Sequence, residues 1–476
     1  MLIITTILIY FGVLYGISLL TGRGGNDAFF RGNRKSPWPL VSFGMIGASI
    51  SGVTFVSVPG MILDSDMTYL QMCMGFFFGY LIVAFVLLPL YYKHNVTSIY
   101  GYLDTRIGSA SRKTGAWFFI ISKLMGSAAK LYLVCTILHE ALHLPFAVTV
   151  VATLLLIWLY THRGGIRTIV WTDALQTLCM LGALMMILIH VGSSMNLDLG
   201  GMTELIQFDK HSRIFEFSDW SSRQHFVKQF LSGIFIVIVM TGLDQDMMQK
   251  NLTCSTLRNG QKNLCSYGIL FLPVNLLFLA LGIILTHFYS VQGLSLPEQS
   301  DSILPQIVIT GLLGEGTLIL FTIGIIAAAF SSADSALTAL TTSYCIDILE
   351  DSDNEKRRRR VHLCMMALFV LFVMLFHLLN NRSVIDLIYT LVSYTYGPLL
   401  GLFAFAICTH RKPDAQIVPW VAIASPLICY TIDLASQHLW NYNFGYELLI
   451  FNGLLTYFGL HIKSRKVTYK TEAQKK

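Results

Sequence analysis

The feature that most limits what this chain can fold into is a series of thirteen apolar runs that recur from one end of the sequence to the other. They cover 2–20, 38–63, 70–92, 114–142, 146–163, 167–192, 225–249, 263–288, 307–343, 360–379, 383–408, 417–436 and 445–462. A helix rises about 1.5 Å per residue, so about 20 apolar residues cross a hydrocarbon layer about 30 Å thick. Strands of a membrane barrel would be about half that length and would alternate apolar with polar. The expected fold is therefore an all-α polytopic membrane protein with about thirteen transmembrane helices. Only 13% of the 476 residues are charged, against 54% hydrophobic, which leaves little to cover a soluble surface.

Charge sets the expected orientation. Loops that stay on the cytoplasmic side are enriched in Lys and Arg. With the N-terminus outside, the outer loops carry only Lys210, Arg213, Arg223 and Arg382, and the inner loops and the C-terminal tail carry most of the rest. The run KRRRR, Lys356 to Arg360, then reads as a topology determinant beside a span. The net charge of +6 follows from orientation and does not call for a nucleic acid partner. The first run has no basic residue before it and GRGGNDAFFRGNRK after it, so it reads as an uncleaved span. None of the nine cysteines falls in an outer loop or forms a CxxC pair, so no disulfide frame or metal site is implied. The longest outer loop, 193–224, is too short for a core of its own. The lipid bilayer is an expected partner, no obligate protein partner is implied, and the short loops fit a bacterial inner membrane.

Function must then lie inside the membrane, where ionisable side chains are expensive and are functional candidates by default. The ninth run carries AAAFSSADSALTAL, Ala327 to Leu340. On a helix Ser331, Asp334, Ser335, Thr338 and Thr342 fall at spacings of three, four and seven and form one polar stripe. The sixth run carries Asp173 in WTDALQ, at a depth where it can meet that stripe or, alternatively, cap a helix start. Hydroxyl and carboxylate oxygens with no positive partner nearby in sequence suit a small hard cation. The second run, VSFGMIGASISGVTFVSVPGMIL, holds four glycines, a proline and several hydroxyls. It reads as a broken helix whose freed carbonyls add oxygen ligands, or as a helix kept small for close packing.

With runs 2–6 starting inside and runs 7–11 starting outside, two five-helix units would be related by an inverted repeat. The expected organisation is one transport domain. It comprises a first span and inner loop (1–37), a first repeat (38–192), an inverted second repeat (225–410), and two peripheral spans with a cytoplasmic tail (411–476).

Several stretches together resemble the sodium:solute symporter family, over nearly the whole chain. They are FFRGNRK, SISGVTFVSVPG, WTDALQ, TGLDQDMMQKN, AAAFSSADSALTALTTSYCIDI and YGPLLGLF. The resemblance implies a five-plus-five inverted-repeat fold of the LeuT-like kind and sodium-coupled import by alternating access. It implies a main Na+ site made by the carbonyls of Gly47, Ile50 and Ala328 and the hydroxyls of Ser331 and Ser332. A second cation site would map to Asp173, Ser331, Asp334 and Ser335, with Asp334 standing where the family pattern has a serine. The resemblance places Ser51, Thr54 and Gln71 at the central cavity, with Tyr394 closing it.

The solute is read from the side chains. Sugars need many hydrogen bonds, and GIFIVIVMTG in the seventh run offers few. Lys123 and Lys130, seven apart in the fourth run, share a helix face. Either they meet a carboxylate on the solute, or they pair with acids of other helices. VTFVSVPG resembles the sialic-acid-transporting members, so a carboxylated solute is expected. The alternatives are a sodium- or proton-coupled transporter of a neutral solute or amino acid, and a non-transporting solute sensor on the same fold. A channel filter, an HExxH metal site and a nucleophile paired with a base are not evident, so an enzyme is not expected.

Overall fold

Long apolar runs become long helices because hydrocarbon offers no partners for backbone N–H and C=O groups, and a helix pairs nearly all of them within itself. The computed structural model describes residues 2–22, 24–379, 384–440, 442 and 444–466. In chain order the main helices begin with α1 (Leu2–Thr21), α2 (Trp38–Ser49), α3 (Gly52–Gly60) and α4 (Ile62–Lys93). They continue with α5 (Ser109–Leu142), α6 (Phe146–Gly164), α7 (Ile166–Ser194), α8 (Phe226–Gly242) and α9 (Gln245–Asn251). The last are α10 (Leu257–Val291), α11 (Gly314–Ile348), α12 (Glu355–Leu379), α13 (Val384–Thr395), α14 (Gly397–Cys408), α15 (Ile417–Trp440) and α16 (Leu448–His461). Shorter helices join several of them, and a small ribbon pairs Arg411–Pro413 with Ser464–Lys466.

Among the described residues eight helices are long and apolar enough to cross a membrane, or ten when each bent pair is taken as one span. The bent pairs are α2 with α3, at 57°, and α8 with α9, at 70°. The first break falls in the glycine-rich second run. The second falls in the seventh run, which the sequence presents as continuous. The eleventh run also divides, into α13 and α14 about Tyr396, because Pro398 lies in the first turn of α14 and cannot continue a hydrogen-bonded helix from α13. In the ninth run α11 starts only at Gly314, after a turn in which Gly311 and Gly314 both take φ of 76°. Residue 383, Arg382 and the tail beyond 466 lie outside the described residues.

The middle of the molecule is α11. Every residue from Gly324 to Ser343 is buried, so this stretch of the helix has no lipid face, and its polar stripe is enclosed by protein. The lipid face belongs to outer helices: α12 exposes Leu363, Leu368, Leu371 and Leu375, and α15 exposes Trp420, Ile423 and Leu427. Such an apolar belt on a folded surface is what a bilayer covers.

Small residues let the helices approach. A Cβ added at Gly75 of α4 would stand 2.2 Å from the Phe230 carbonyl oxygen of α8, and one at Gly233 of α8 would stand 2.3 Å from that of Met72. The obstacles are backbone and cannot rotate away. Gly75→Ala is therefore expected to lower the melting temperature in detergent, by the roughly 1–3 kcal/mol typical of overpacking. Gly182→Ala, where a Cβ meets nothing within 4 Å, serves as the unperturbed control in the same melting series.

Candidate solute and cation site

The break between α2 and α3 is built by its backbone. Ile50 N–H still bonds the Ile46 carbonyl at 2.8 Å. Ser51 N–H instead turns back to Ser49 O at 3.0 Å, around Ile50 at φ −79° and ψ 82°. That is an inverse γ-turn, and it takes from the Gly47 carbonyl the amide it would have in a continuous helix. Gly47 itself is required by contact: its N–H donates to Thr177 Oγ1 at 3.1 Å, and a Cβ there would sit 2.1 Å from the same oxygen. Thr177 Oγ1 donates in turn to the Asp173 carbonyl, 2.7 Å away, so α7 holds the end of α2.

The ninth-run serines face this end. Ser332 Oγ donates to the Ala48 carbonyl at 3.4 Å, and Ala328 is buried one turn away on the same helix. The residues named from the resemblance for the main sodium site, Gly47, Ile50, Ala328, Ser331 and Ser332, thus belong to two elements in contact: the broken end of α2 and the buried middle of α11.

The second set also assembles. Ser331 Oγ donates to Asp173 Oδ1 at 2.7 Å, Tyr160 Oη donates to Asp334 Oδ2 at 2.7 Å, and Ser335 Oγ donates to Asp334 Oδ1 at 3.2 Å. It is not, however, an oxygen cluster without a positive partner. The Lys250 ammonium of α9 lies 2.8 Å from Asp173 Oδ2, and both side chains are 1% exposed. Sequence distance hid this pair. Lys250 looks like an ordinary inner-loop charge until the 70° break turns α9 into the protein.

The second break organises the other charges. Asp244 caps α9, accepting from the amides of Asp246 (2.9 Å) and Met247 (3.3 Å), as a carboxylate does at a helix start. The same carboxylate accepts from Lys123 Nζ at 3.2 Å and from Tyr396 Oη at 2.7 Å. Lys123 also pairs with Asp246 at 2.7 Å. Of the two readings of the fourth-run lysines, Lys123 follows the one in which acids of another helix hold it. Lys130 makes no ion pair among the described residues and lines the cavity.

That cavity encloses about 890 Å³ of empty space, including its open mouth. Ser51, Thr54, Lys123, Lys130, Ser332 and Asp246 give it polar walls, and Ile236, Val237 and Met240 of the apolar seventh run form another side. Tyr80 and Tyr267 pack at 4.5 Å between ring centroids, with Tyr80 Oη donating to Tyr267 Oη at 2.8 Å. Ser49 Oγ hydrogen-bonds the Tyr267 hydroxyl, so the aromatic wall is tied to the broken helix.

Two expected cavity residues stand elsewhere. Gln71 is fully buried beneath the loop 193–224, donating to the carbonyls of Thr68 (3.2 Å) and Gln224 (2.9 Å) and accepting from Glu216 N–H (3.1 Å). It fastens that loop to α4 and does not line the cavity. Tyr394 points to α15, donating to Asp433 Oδ2 at 3.1 Å. Two residues along a helix turn about 200°, so Tyr396 takes the opposite side and reaches Asp244. The signal that could have favoured Tyr396 is Pro398, which marks a helix end just where a phenol would face inward.

Two broken helices around a polar cavity, with freed carbonyls and hydroxyls beside it, are the architecture of a secondary transporter. The sodium:solute symporter family model matches residues 29–437, and the chain belongs to that family. It is 27% identical to the sodium/sialic acid symporter NanT of Aliivibrio fischeri, over 84% of this chain and 82% of that protein. It is 25% identical to the sodium/sialic acid symporter SiaT of Proteus mirabilis, over 87% and 85% respectively. In fold it is similar to a Na+-coupled sialic acid symporter solved in a substrate-bound outward-open state, with a TM-score of 0.82 at 21% identity over 98% of this chain and 99% of that one.

The Asp244 cluster gives a stability prediction. Asp244→Ala removes a helix cap, worth about 1 kcal/mol, and one of the two carboxylates on Lys123. Tyr396→Phe removes one hydrogen bond to the same carboxylate, worth about 0.5–1.5 kcal/mol. Both are expected to lower the melting temperature in detergent, Asp244→Ala by more.

Proposed function

We propose that this chain is a sodium-coupled symporter that imports a small carboxylated solute, such as sialic acid or another organic acid, by alternating access. The observation that carries the reading is the meeting of the broken end of α2 with Ser331 and Ser332 of α11, directly beside a cavity lined by an ammonium, Lys130, with no acidic partner within ion-pair distance among the described residues. Sodium at Gly47, Ile50, Ala328, Ser331 and Ser332 would join the two elements by their oxygens. It would thereby order Ala48, Ser49 and Ser51 on the cavity wall. Ion binding and solute binding then favour the same arrangement, which is what coupling requires. Each sodium entering a negative interior also gains about 2.3 kcal/mol per 100 mV.

The solute class rests on Lys130. An ammonium lining a cavity favours an anionic group, and the relatives named for sialic acid carry such a group on their solute. Lys123, already held by Asp244 and Asp246, would shape the site and leave the solute carboxylate to Lys130. Thirteen spans follow if α1, α16, and α13 with α14 each cross beside the ten, with the five-helix repeats at 38–192 and 225–410 inverted. The N-terminus would lie outside and the C-terminus in the cytoplasm. On that side Asp347 accepts from Ser98 (2.5 Å), Ser343 (3.0 Å) and Arg112 (3.1 Å), which ties α11 to α5 and to the segment near 98.

The test is uptake into proteoliposomes with a sodium gradient, against potassium at equal ionic strength, using a panel of sialic acid, monocarboxylates, amino acids and sugars. Uptake driven by sodium and confined to acids is expected, and uptake confined to uncharged solutes would overturn the solute class. Ser332→Ala and Ser331→Ala are expected to raise the sodium needed for half-maximal uptake about tenfold, about 1.4 kcal/mol for one lost ligand. Unchanged sodium dependence in both would remove the main site. Lys130→Gln is expected to raise the half-saturating acid concentration by tenfold or more while sodium-induced stabilisation without solute stays as in the wild type.

A further inference from the structure

The buried carboxylate of Asp173 has a counter-ion that belongs to the chain itself. The Lys250 ammonium is 2.8 Å from Asp173 Oδ2, with water excluded from both groups. Around this pair stand the oxygens that a bound cation would need. Ser331 Oγ is 2.7 Å from Asp173 Oδ1, and the turned amide of Gln176 donates to the same oxygen at 3.2 Å. Three and four residues along the same face of α11 are Asp334 and Ser335, with Tyr160 closing over Asp334 from α6.

We propose that Lys250 is a tethered cation that fills the second ion site, so that this chain binds one sodium ion where the same oxygens without the lysine would bind two. The ammonium carries one positive charge and lies at ligand distance from the strongest oxygen donor of the set. A sodium ion placed among Asp173, Ser331 and Ser335 would be within a few ångströms of that ammonium in a low-dielectric interior, where like charges repel strongly. Neither partner of a buried ion pair leaves alone without exposing an uncompensated charge. Lys250 has a second carboxylate to hold it, Asp246 Oδ1 at 3.9 Å, on the same short helix. The tether has a mechanical side too: α9 follows the 70° break, so the pair fixes the broken helix to α7, a role a free ion would perform only while bound. The count of one rests on the main sodium site proposed above, whereas the filling of the second site does not.

Sodium bound to the purified chain in detergent, counted with radioactive sodium by equilibrium dialysis, tests this without any solute. The wild type is expected to bind one ion per chain and Lys250→Met two, with Lys250→Met combined with Asp173→Asn returning to one. The melting temperature of Lys250→Met should also recover in sodium but not in potassium, because the ion replaces the missing ammonium. Two ions on the wild type, or no added ion on a folded Lys250→Met or Lys250→Gln, would overturn the proposal. No ion on the wild type but one on Lys250→Met would remove the main site and the sodium-coupled reading while supporting the tethered cation. If neither lysine variant folds, the wild-type count alone decides, one ion supporting the proposal and two overturning it.

Discussion

A helix can be broken inside hydrocarbon only where the surrounding protein takes over the hydrogen bonds that the break releases. Everything at the centre of this molecule follows from meeting that condition at two places. At Ile50 the backbone folds into a γ-turn while Thr177 binds Gly47 N–H and Ser332 reaches the Ala48 carbonyl. At Leu243 the carbonyl accepts from Tyr100 Oη at 3.0 Å, and Asp244 caps the next helix. The groups that repair the breaks come from α7, α11 and the segment near 100, so these elements must pack where they do.

The repair brings charge with it. Asp244, Asp246 and Asp173 are buried carboxylates, and each finds a lysine ammonium from a helix remote in sequence: Lys123 for the first two and Lys250 for the third. Buried pairs of this kind add little net stability, because desolvation offsets most of the attraction. What they do supply is arrangement, since either partner alone would be strongly destabilising. Lys130 is left as the cavity ammonium with no ion pair among the described residues, which is the ground for the proposal that it receives an anionic solute. Asp334 has Tyr160 and Ser335 but no cation within ion-pair distance among the described residues.

Much of this was legible before any coordinates. The apolar runs predict helices that the structure extends by a turn or so at several ends, as at the starts of α5, α10 and α12, because backbone pairing continues past the last apolar residue. The serine stripe of α11 was visible from its spacing, and its burial follows from an aspartate that lipid would not accept. The break in the second run was signalled by glycines and hydroxyls. The break in the seventh run was not: GIFIVIVMTGLDQD places a single glycine, Gly242, beside the break, and its sharp turn depends on Asp244 capping α9, which a linear reading does not distinguish from an ordinary loop acid. Gln71 and Tyr394 were misplaced for a related reason, since position along a span does not say which neighbour a side chain faces.

The sequence by itself determined that the chain is a helical membrane protein and that its pattern is that of a sodium:solute symporter. Length and hydropathy suffice for the first, because a bilayer penalises every unpaired backbone group alike. The tertiary structure alone decided which charges meet. Lys250 and Asp173 are far apart in the chain and unremarkable in composition, and only the 70° turn after α8 sets their charged groups 2.8 Å apart. Coulombic pairing in a low-dielectric interior depends on ångströms of separation, a quantity that spacing along the chain does not contain.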